Sequence, residues 1–176
     1  MDLHMKTALR LYLLLSVFAA ASAAVLVSSD LTKAADSSAV TATVTVQNIS
    51  VSVADGSVAY GTLALNTSKS TRSDDLNDAQ TATNDGNVTA NLNIRGQDSV
   101  AWTLESAVGP DQYKHDFCIT DCNTSPTWVP LDTENQSLAA SVATSGSQVF
   151  HLRITTPTTS SSYTQQTVSV TVQATI

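Results

Sequence analysis

Residues 40–53, which read VTATVTVQNISVSV, limit the fold more than any other stretch because apolar side chains occupy every second position. A period of two places one set of side chains on one face of a β-strand, whereas the apolar positions of a helix recur every three or four residues. The apolar positions change phase once, at Asn48. A bulge, or a strand that crosses between two packed sheets, produces such a change. The stretch is therefore predicted to be the first strand, completing either its own sandwich or a neighbour's.

The same alternation recurs along the chain, and turn signals such as Asp55 and Gly56 separate the runs. The further predicted strands are residues 57–65, 81–94 with a turn at 84–87, 100–104, 113–119, 138–142, 148–154 and 166–176. Residues 66–80 are predicted to be a loop or a weak edge, and Trp102 a central core residue. About eight or nine strands and no helical period predict an all-β fold, an Ig-like or jelly-roll β-sandwich, with a small β-barrel as the alternative.

The N-terminal segment has the composition of a secretion signal, which would form an apolar helix. Lys6 and Arg10 supply the positive charge ahead of an apolar run at residues 11–27. The small residues within this run predict cleavage after residue 23 or 24, and a later cut after residue 34 is the alternative.

These boundaries divide the chain into a signal peptide at residues 1–24, a linker at 25–38 and a β-sandwich domain at 39–176. The alternative is an uncleaved anchor, since 17 apolar residues are at the lower limit for crossing a bilayer. The domain is predicted to be secreted and extracellular, at the cell surface. It would contact a membrane only through the N-terminal segment, if that segment is retained.

Composition excludes some partners. Ser and Thr together number 48, and only 13% of residues are charged, which suits the exposed strand faces of an extracellular β protein. From Asp36 onward there are 13 acidic and 5 basic residues, a net charge of −8. Such a surface repels phosphate backbones and anionic lipids, so binding to nucleic acid is not expected. Self-association or binding to other envelope components is expected instead.

Cys118 and Cys122 lie four residues apart and are predicted to form a disulfide, because neighbouring cysteines usually pair in an oxidising compartment. Two free thiols are one alternative. A metal site that also uses His115 and Asp116 is another, although zinc sites usually have CxxC spacing and a second ligand pair.

No catalytic residue and no cofactor are predicted. His4 belongs to the signal, His115 is predicted to be a structural residue on an inner strand face, and His151 is predicted to face solvent. GxSxG, HExxH and phosphate-binding glycine loops are missing from the sequence. A small secreted hydrolase is therefore the least favoured function.

Three sets of surface residues are weaker candidates. The acidic residues of two loops are weak candidates for calcium, because the D-x-[DN]-x-[DN]-G pattern is missing: Asp74, Asp75, Asp78 and Asp85. Three sequons are candidates for N-glycosylation, namely Asn66, Asn123 and Asn135, and two within strand-like runs are weaker, namely Asn48 and Asn87. The candidate aromatic platforms for stacking a ligand are Tyr60, Trp128 and Tyr163.

Two segments, VAYGTLALN at residues 58–66 and ATNDGNVTANLNI at residues 82–94, carry a family resemblance. Together with the preceding signal, they resemble secreted prokaryotic β-sandwich modules, including the TasA/camelysin group of surface and biofilm-fibre proteins and Ig-like surface modules. The resemblance implies a subunit of a prokaryotic envelope or appendage. Camelysin-type proteins have been called peptidases, but this sequence has no metal-binding motif to support that activity.

The favoured hypothesis is a non-enzymatic structural protein of the cell surface, a fibre, appendage or envelope-coat subunit. The residue 40–53 stretch could add as a strand to a neighbour's sheet edge. The alternative is an extracellular adhesion module that binds carbohydrate or protein.

Overall fold

The computed structural model describes residues 37–176. The predicted signal helix, its cleavage sites and most of the linker lie outside the described residues. Residues Thr45–Ile176 form one compact unit, and the chain up to Val44 belongs to a separate one. The described residues contain strands and turns but no helix, so none of them forms an apolar helix long enough to cross a membrane.

The described part of the chain has ten strands, slightly more than predicted. In chain order they are β1 (Val51–Ala54), β2 (Ser68–Ser70), β3 (Gln80–Asn84), β4 (Ala90–Gly96), β5 (Thr103–Leu104), β6 (Gln112–Cys118), β7 (Val129–Pro130), β8 (Gln136–Val142), β9 (Ser147–Thr155) and β10 (Val170–Thr175).

The strands form two sheets, as in a sandwich. The larger sheet has seven strands in the order β1-β3-β9-β6-β5, with β2 paired to β9 and β7 to β6. The smaller sheet has three strands in the order β10-β4-β8, all antiparallel. Most pairings join strands that are distant in sequence, so alternation alone could not give this order.

The core lies between the inner faces of the two sheets. β4 shows why its sequence forms a strand: Ala90, Leu92 and Ile94 are buried, whereas Asn91 and Arg95 are exposed. β6 and β9 contribute side chains that are almost fully buried, including those of Tyr113, Phe117, Phe150, Leu152 and Ile154. The predicted inward faces of residues 88–94, 113–117 and 150–154 are confirmed.

The single long strand predicted at residues 40–53 is wrong. Only Val51–Ala54 forms a strand, and it pairs with β3. Val40, Val44 and Val46 are 92%, 91% and 82% exposed. Alternating side chains are a local property, but a strand exists only where a second segment accepts its backbone hydrogen bonds. Residues 37–50 belong to no strand.

Two other predicted strands form only in part or not at all. Residues 57–65 contain no strand, although Val58, Tyr60 and Leu63 pack against the core. The C-terminal strand begins at Val170, so residues 166–169 are irregular. No described segment pairs with the backbone of either stretch, and alternation alone cannot show whether such a partner exists.

The predicted strand at residues 100–104 is also shorter than expected. β5 contains only Thr103 and Leu104, and Val100 is fully exposed. Trp102, which was predicted to be a central core residue, is half-buried at the margin of the core. Tyr113 is fully buried and occupies the central position instead. The predicted turn at Asp55 and Gly56 is confirmed, since both residues have positive φ, near 68° and 67°.

Candidate functional site

The unit Thr45–Ile176 contains an apolar groove of about 930 Å³ beside the smaller sheet. Its floor is the inner face of the larger sheet, formed by the buried side chains of Phe150, Leu152 and Ile154. One wall is residues 56–65, and the other is residues 160–168 with β10. The described residues that line the groove include no Asp, Glu, Lys or Arg. A groove without charged side chains suits an apolar or peptide ligand.

Both walls carry backbone groups without backbone partners. Among the described residues, no backbone amide of residues 57–65 donates a hydrogen bond, and the Ala64 carbonyl accepts only from the hydroxyls of Thr67 and Thr156. Residues 165–169 likewise donate no backbone hydrogen bond. Among the described strands β10 pairs only with β4, so no described strand occupies its other edge. Unpaired strand-like backbone is a template for another strand.

Tyr60 and His115 form a buried polar pair at the base of the groove. The Tyr60 hydroxyl lies 2.9 Å from His115 Nε2, and the two rings meet edge to face. Burial lowers the pKa of His115 to about 4, so the imidazole is neutral at pH 7. Burial, and then the charges of Asp78 and Asp75, raise the pKa of Tyr60 well above its ordinary value. The pair therefore joins residues 57–65 to the core as neutral groups.

Among the described residues, His115 Nδ1 has no hydrogen-bond partner, so no described carboxylate orients the imidazole as one does in an acyl-transfer triad. His115 is buried, as predicted for a structural histidine.

The prediction that His151 faces solvent is wrong. His151 is buried, and its Nδ1 lies 3.1 Å from the Thr71 carbonyl oxygen and 3.3 Å from Thr71 Oγ1. The segment that follows β2 covers this outer face of β9, so β9 is buried on both faces at its centre. The alternation of side chains along β9 cannot show that Thr71, 80 residues earlier in the chain, packs against His151.

The predicted disulfide between Cys118 and Cys122 is present, with their Cα atoms 5.8 Å apart. The bond excludes both alternatives, two free thiols and metal ligation by these sulfur atoms. The loop lies at the end of β6 and, with His151, lines a second, shallower pocket.

Sequence reasoning missed a buried ion cluster on the opposite face of β6 from His115. Asp116 is fully buried, and its Oδ2 accepts hydrogen bonds from Arg153 Nε at 2.9 Å and Nη2 at 2.7 Å. Lys114 Nζ lies 3.4 Å from the same oxygen, and Arg153 stacks on Trp128 with its Cζ 4.7 Å from the ring centroid. The β6–β9 register places Asp116 opposite Arg153, and local spacing cannot reveal a pairing between residues 37 positions apart.

The three candidate stacking residues do not form one platform. Tyr60 points inward to His115, and Trp128 is half-buried beneath Arg153. Tyr163 is 84% exposed and lines the groove, as Tyr60 also does, whereas Trp128 does not line it.

Three of the four acidic candidates for a calcium site already form an ion pair or hydrogen bonds with other groups of the protein. Asp74 pairs with Arg72 at 3.2 Å, and Asp75 accepts hydrogen bonds from the amide and hydroxyl of Ser70. Asp78 accepts from Gln80 Nε2, while Asp85 is exposed. No group of three or more His, Cys, Asp or Glu residues in the described part of the chain is arranged to hold a metal.

The sequons differ in their surroundings. All three stronger candidates are exposed: Asn66, Asn123 and Asn135. Asn123 accepts a hydrogen bond from the Ser73 amide. Asn87 is used structurally, because its side chain accepts from the Asn48 amide at 2.7 Å and donates to the Val46 carbonyl at 2.8 Å.

Comparisons with protein-family models, with curated protein sequences and with solved structures found no match for this chain.

Proposed function

We propose that this protein is a non-enzymatic, secreted structural protein of the prokaryotic cell surface, whose copies assemble by strand addition into a fibre, an appendage or an envelope coat. Its sandwich would be of the Ig-like or jelly-roll kind, exported by the N-terminal signal. The disulfide is compatible with an extracellular location.

The observation that carries the proposal is the exposure of residues 39–46. They read AVTATVTV, contain no charge, alternate with a period of two and belong to no strand. Contiguous exposed apolar side chains are rare in soluble monomers and usually mark a surface that binds a partner. An extended segment with alternating side chains binds by adding to a sheet edge, where backbone hydrogen bonds give affinity and side chains give register.

The test is a pair of matched substitutions in this segment. Val44→Asp places a charge on the apolar face, and Thr43→Asp places the same charge on the other face. Val44→Asp is expected to reduce assembly at least tenfold, measured by sedimentation and negative-stain microscopy, whereas Thr43→Asp retains most of it. Wild-type protein that stays monomeric at high concentration, or a Val44→Asp variant that assembles like the wild type, would contradict the proposal.

The alternative function is an adhesion module that binds carbohydrate or protein, and the exposure of Tyr163 on the groove favours it. Aromatic rings bind apolar sugar faces by stacking. Tyr163→Ala would then abolish binding to a glycan array without changing assembly, whereas a structural subunit would show no specific glycan signal in either form.

A further inference from the structure

Two stretches line opposite walls of the same groove. The sequence predicted both to be strands, but neither forms one. They are residues 57–65 on one wall and residues 166–168 on the other. Each has the alternating side chains of a strand and amides that make no backbone hydrogen bond among the described residues. A strand between them would give both walls the partner that they lack.

The two sheets differ in their number of strands. The larger sheet has seven strands and the smaller has three, with β10 at its open edge. Val170 and Val172 of β10 line the groove, as do the core residues Phe150 and Leu152 of β9. A strand added beside β10 would extend the smaller sheet and bury the apolar side chains of the groove walls that are now only half-buried, such as Val58, Leu63 and Val168.

We propose that the groove is the acceptor site for residues 39–46 of a second copy of this chain, which pair with the β10 edge on one side and with residues 57–65 on the other. Residues 57–65 become a strand only when the groove is filled. This inference rests on the proposed function, since it names the acceptor surface of the assembly.

Two properties of residues 39–46 make them the expected occupant of the groove: they carry no charge, and their apolar side chains alternate. The described groove lining has no charged side chain, and residues 39–46 have none either, so no charge is buried when they meet. Val40, Ala42, Val44 and Val46 share one face and would lie on the apolar floor, with the threonines outward. The Tyr60–His115 hydrogen bond already holds the middle of residues 57–65 against the core.

The first test is cross-linking between copies. The protein has no free cysteine among the described residues, so Val44→Cys and Val168→Cys introduce single thiols. Each variant keeps the Cys118–Cys122 disulfide and gains one free thiol, and mixing the two in their secreted, full-chain form under mild oxidation is expected to give a disulfide-linked dimer. The matched control is Val44→Cys mixed with Val100→Cys, because Val100 is fully exposed and does not line the groove.

A yield at least tenfold above the control supports the acceptor site. Equal yields in particles that still assemble would overturn the groove assignment while leaving the proposed function intact. Failure of every variant and of the wild type to assemble would contradict the proposed function itself. A doubly substituted chain that forms only the intramolecular 44–168 bond would show that each chain fills its own groove, which also overturns the inference.

The second test is hydrogen exchange of the wild-type protein before and after assembly. Amides at residues 58–64 and 165–169 are expected to exchange at least tenfold more slowly in the assembled form, because they gain backbone partners. The matched reference is β4, which is paired on both sides already and should change little. Unchanged exchange at residues 58–64 in assembled protein would refute the formation of a new strand there.

Discussion

His115 and Asp116 are neighbours on β6 whose side chains lie on opposite faces of the larger sheet, and both are buried. They show two ways of placing an ionisable group in a protein interior. Burial lowers the pKa of His115 and keeps it neutral, whereas one oxygen of Asp116 lies within ion-pair distance of both Arg153 and Lys114.

Acid is expected to destabilise the protein through His115. Its folded-state pKa of about 4 lies below the ordinary 6.5, so between these values the unfolded chain binds a proton that the folded chain does not. This contribution to stability is complete above pH 6.5 and is lost as the pH falls towards 4, by about 3 kcal/mol at most. Denaturant unfolding at pH 7 and pH 4.5 measures the loss.

The test of this pH dependence is His115→Gln, because glutamine is polar and does not titrate. His115→Gln should make the difference in unfolding free energy between the two pH values clearly smaller than it is in the wild type. Because the readout is a difference between two pH values, it stands even if His115→Gln lowers stability overall. An unchanged difference in His115→Gln would contradict the expectation.

Asp116→Asn is expected to destabilise the fold by about 1–3 kcal/mol, because the amide replaces a carboxylate that accepts charge-assisted hydrogen bonds from Arg153. Asp74→Asn removes the same charge from the exposed pair with Arg72 and should cost less than about 1 kcal/mol. Thermal and urea unfolding compare the two variants. Equal losses would show that the buried cluster contributes no more than a surface ion pair.

At the scale of elements, the disulfide loop shows how a local constraint acts at the end of a strand. Cys118 ends β6, and the bond to Cys122 returns the chain towards β7 and Trp128. The two cysteines are buried, although the residues between them are exposed. The bond therefore fixes where β6 ends.

Replacing both cysteines, Cys118→Ala with Cys122→Ala, should lower the free energy of unfolding by about 2 kcal/mol, the chain-entropy value for so short a loop. Reduction of the wild type should produce the same loss, which separates the bond from the effect of the new side chains. A double variant as stable as the oxidised wild type would show that the loop is held by other contacts.

At the scale of the whole molecule, the acidic net charge and the uncharged groove act in opposite directions on assembly. From Asp36 onward the net charge is −8, which makes two copies repel each other, while the proposed contact contains no charged group. Assembly is therefore held back by long-range repulsion and stabilised by short-range apolar burial and backbone hydrogen bonds.

Added salt is accordingly expected to promote assembly. Raising NaCl from about 20 mM to about 300 mM shortens the screening length from roughly 20 Å to below 10 Å and weakens the repulsion. Light scattering across a dilution series should show a lower threshold concentration at the higher salt. Dissolution of the assemblies by salt would instead indicate ionic contacts between copies and contradict an uncharged interface.

The sequence by itself determined the all-β class, the inward faces of β4, β6 and β9, and the pairing of Cys118 with Cys122, because each depends on spacing within one short segment. The tertiary structure decided which alternating segments became strands, since a strand needs a second backbone about 4.8 Å away and no local pattern supplies it. It also decided the burial of His151 and the Asp116–Arg153 pair, which depend on segments distant in sequence. Residues 39–46 and 57–65 have the pattern of strands, but no described segment pairs with either as a strand, and residues 57–65 form one wall of the groove.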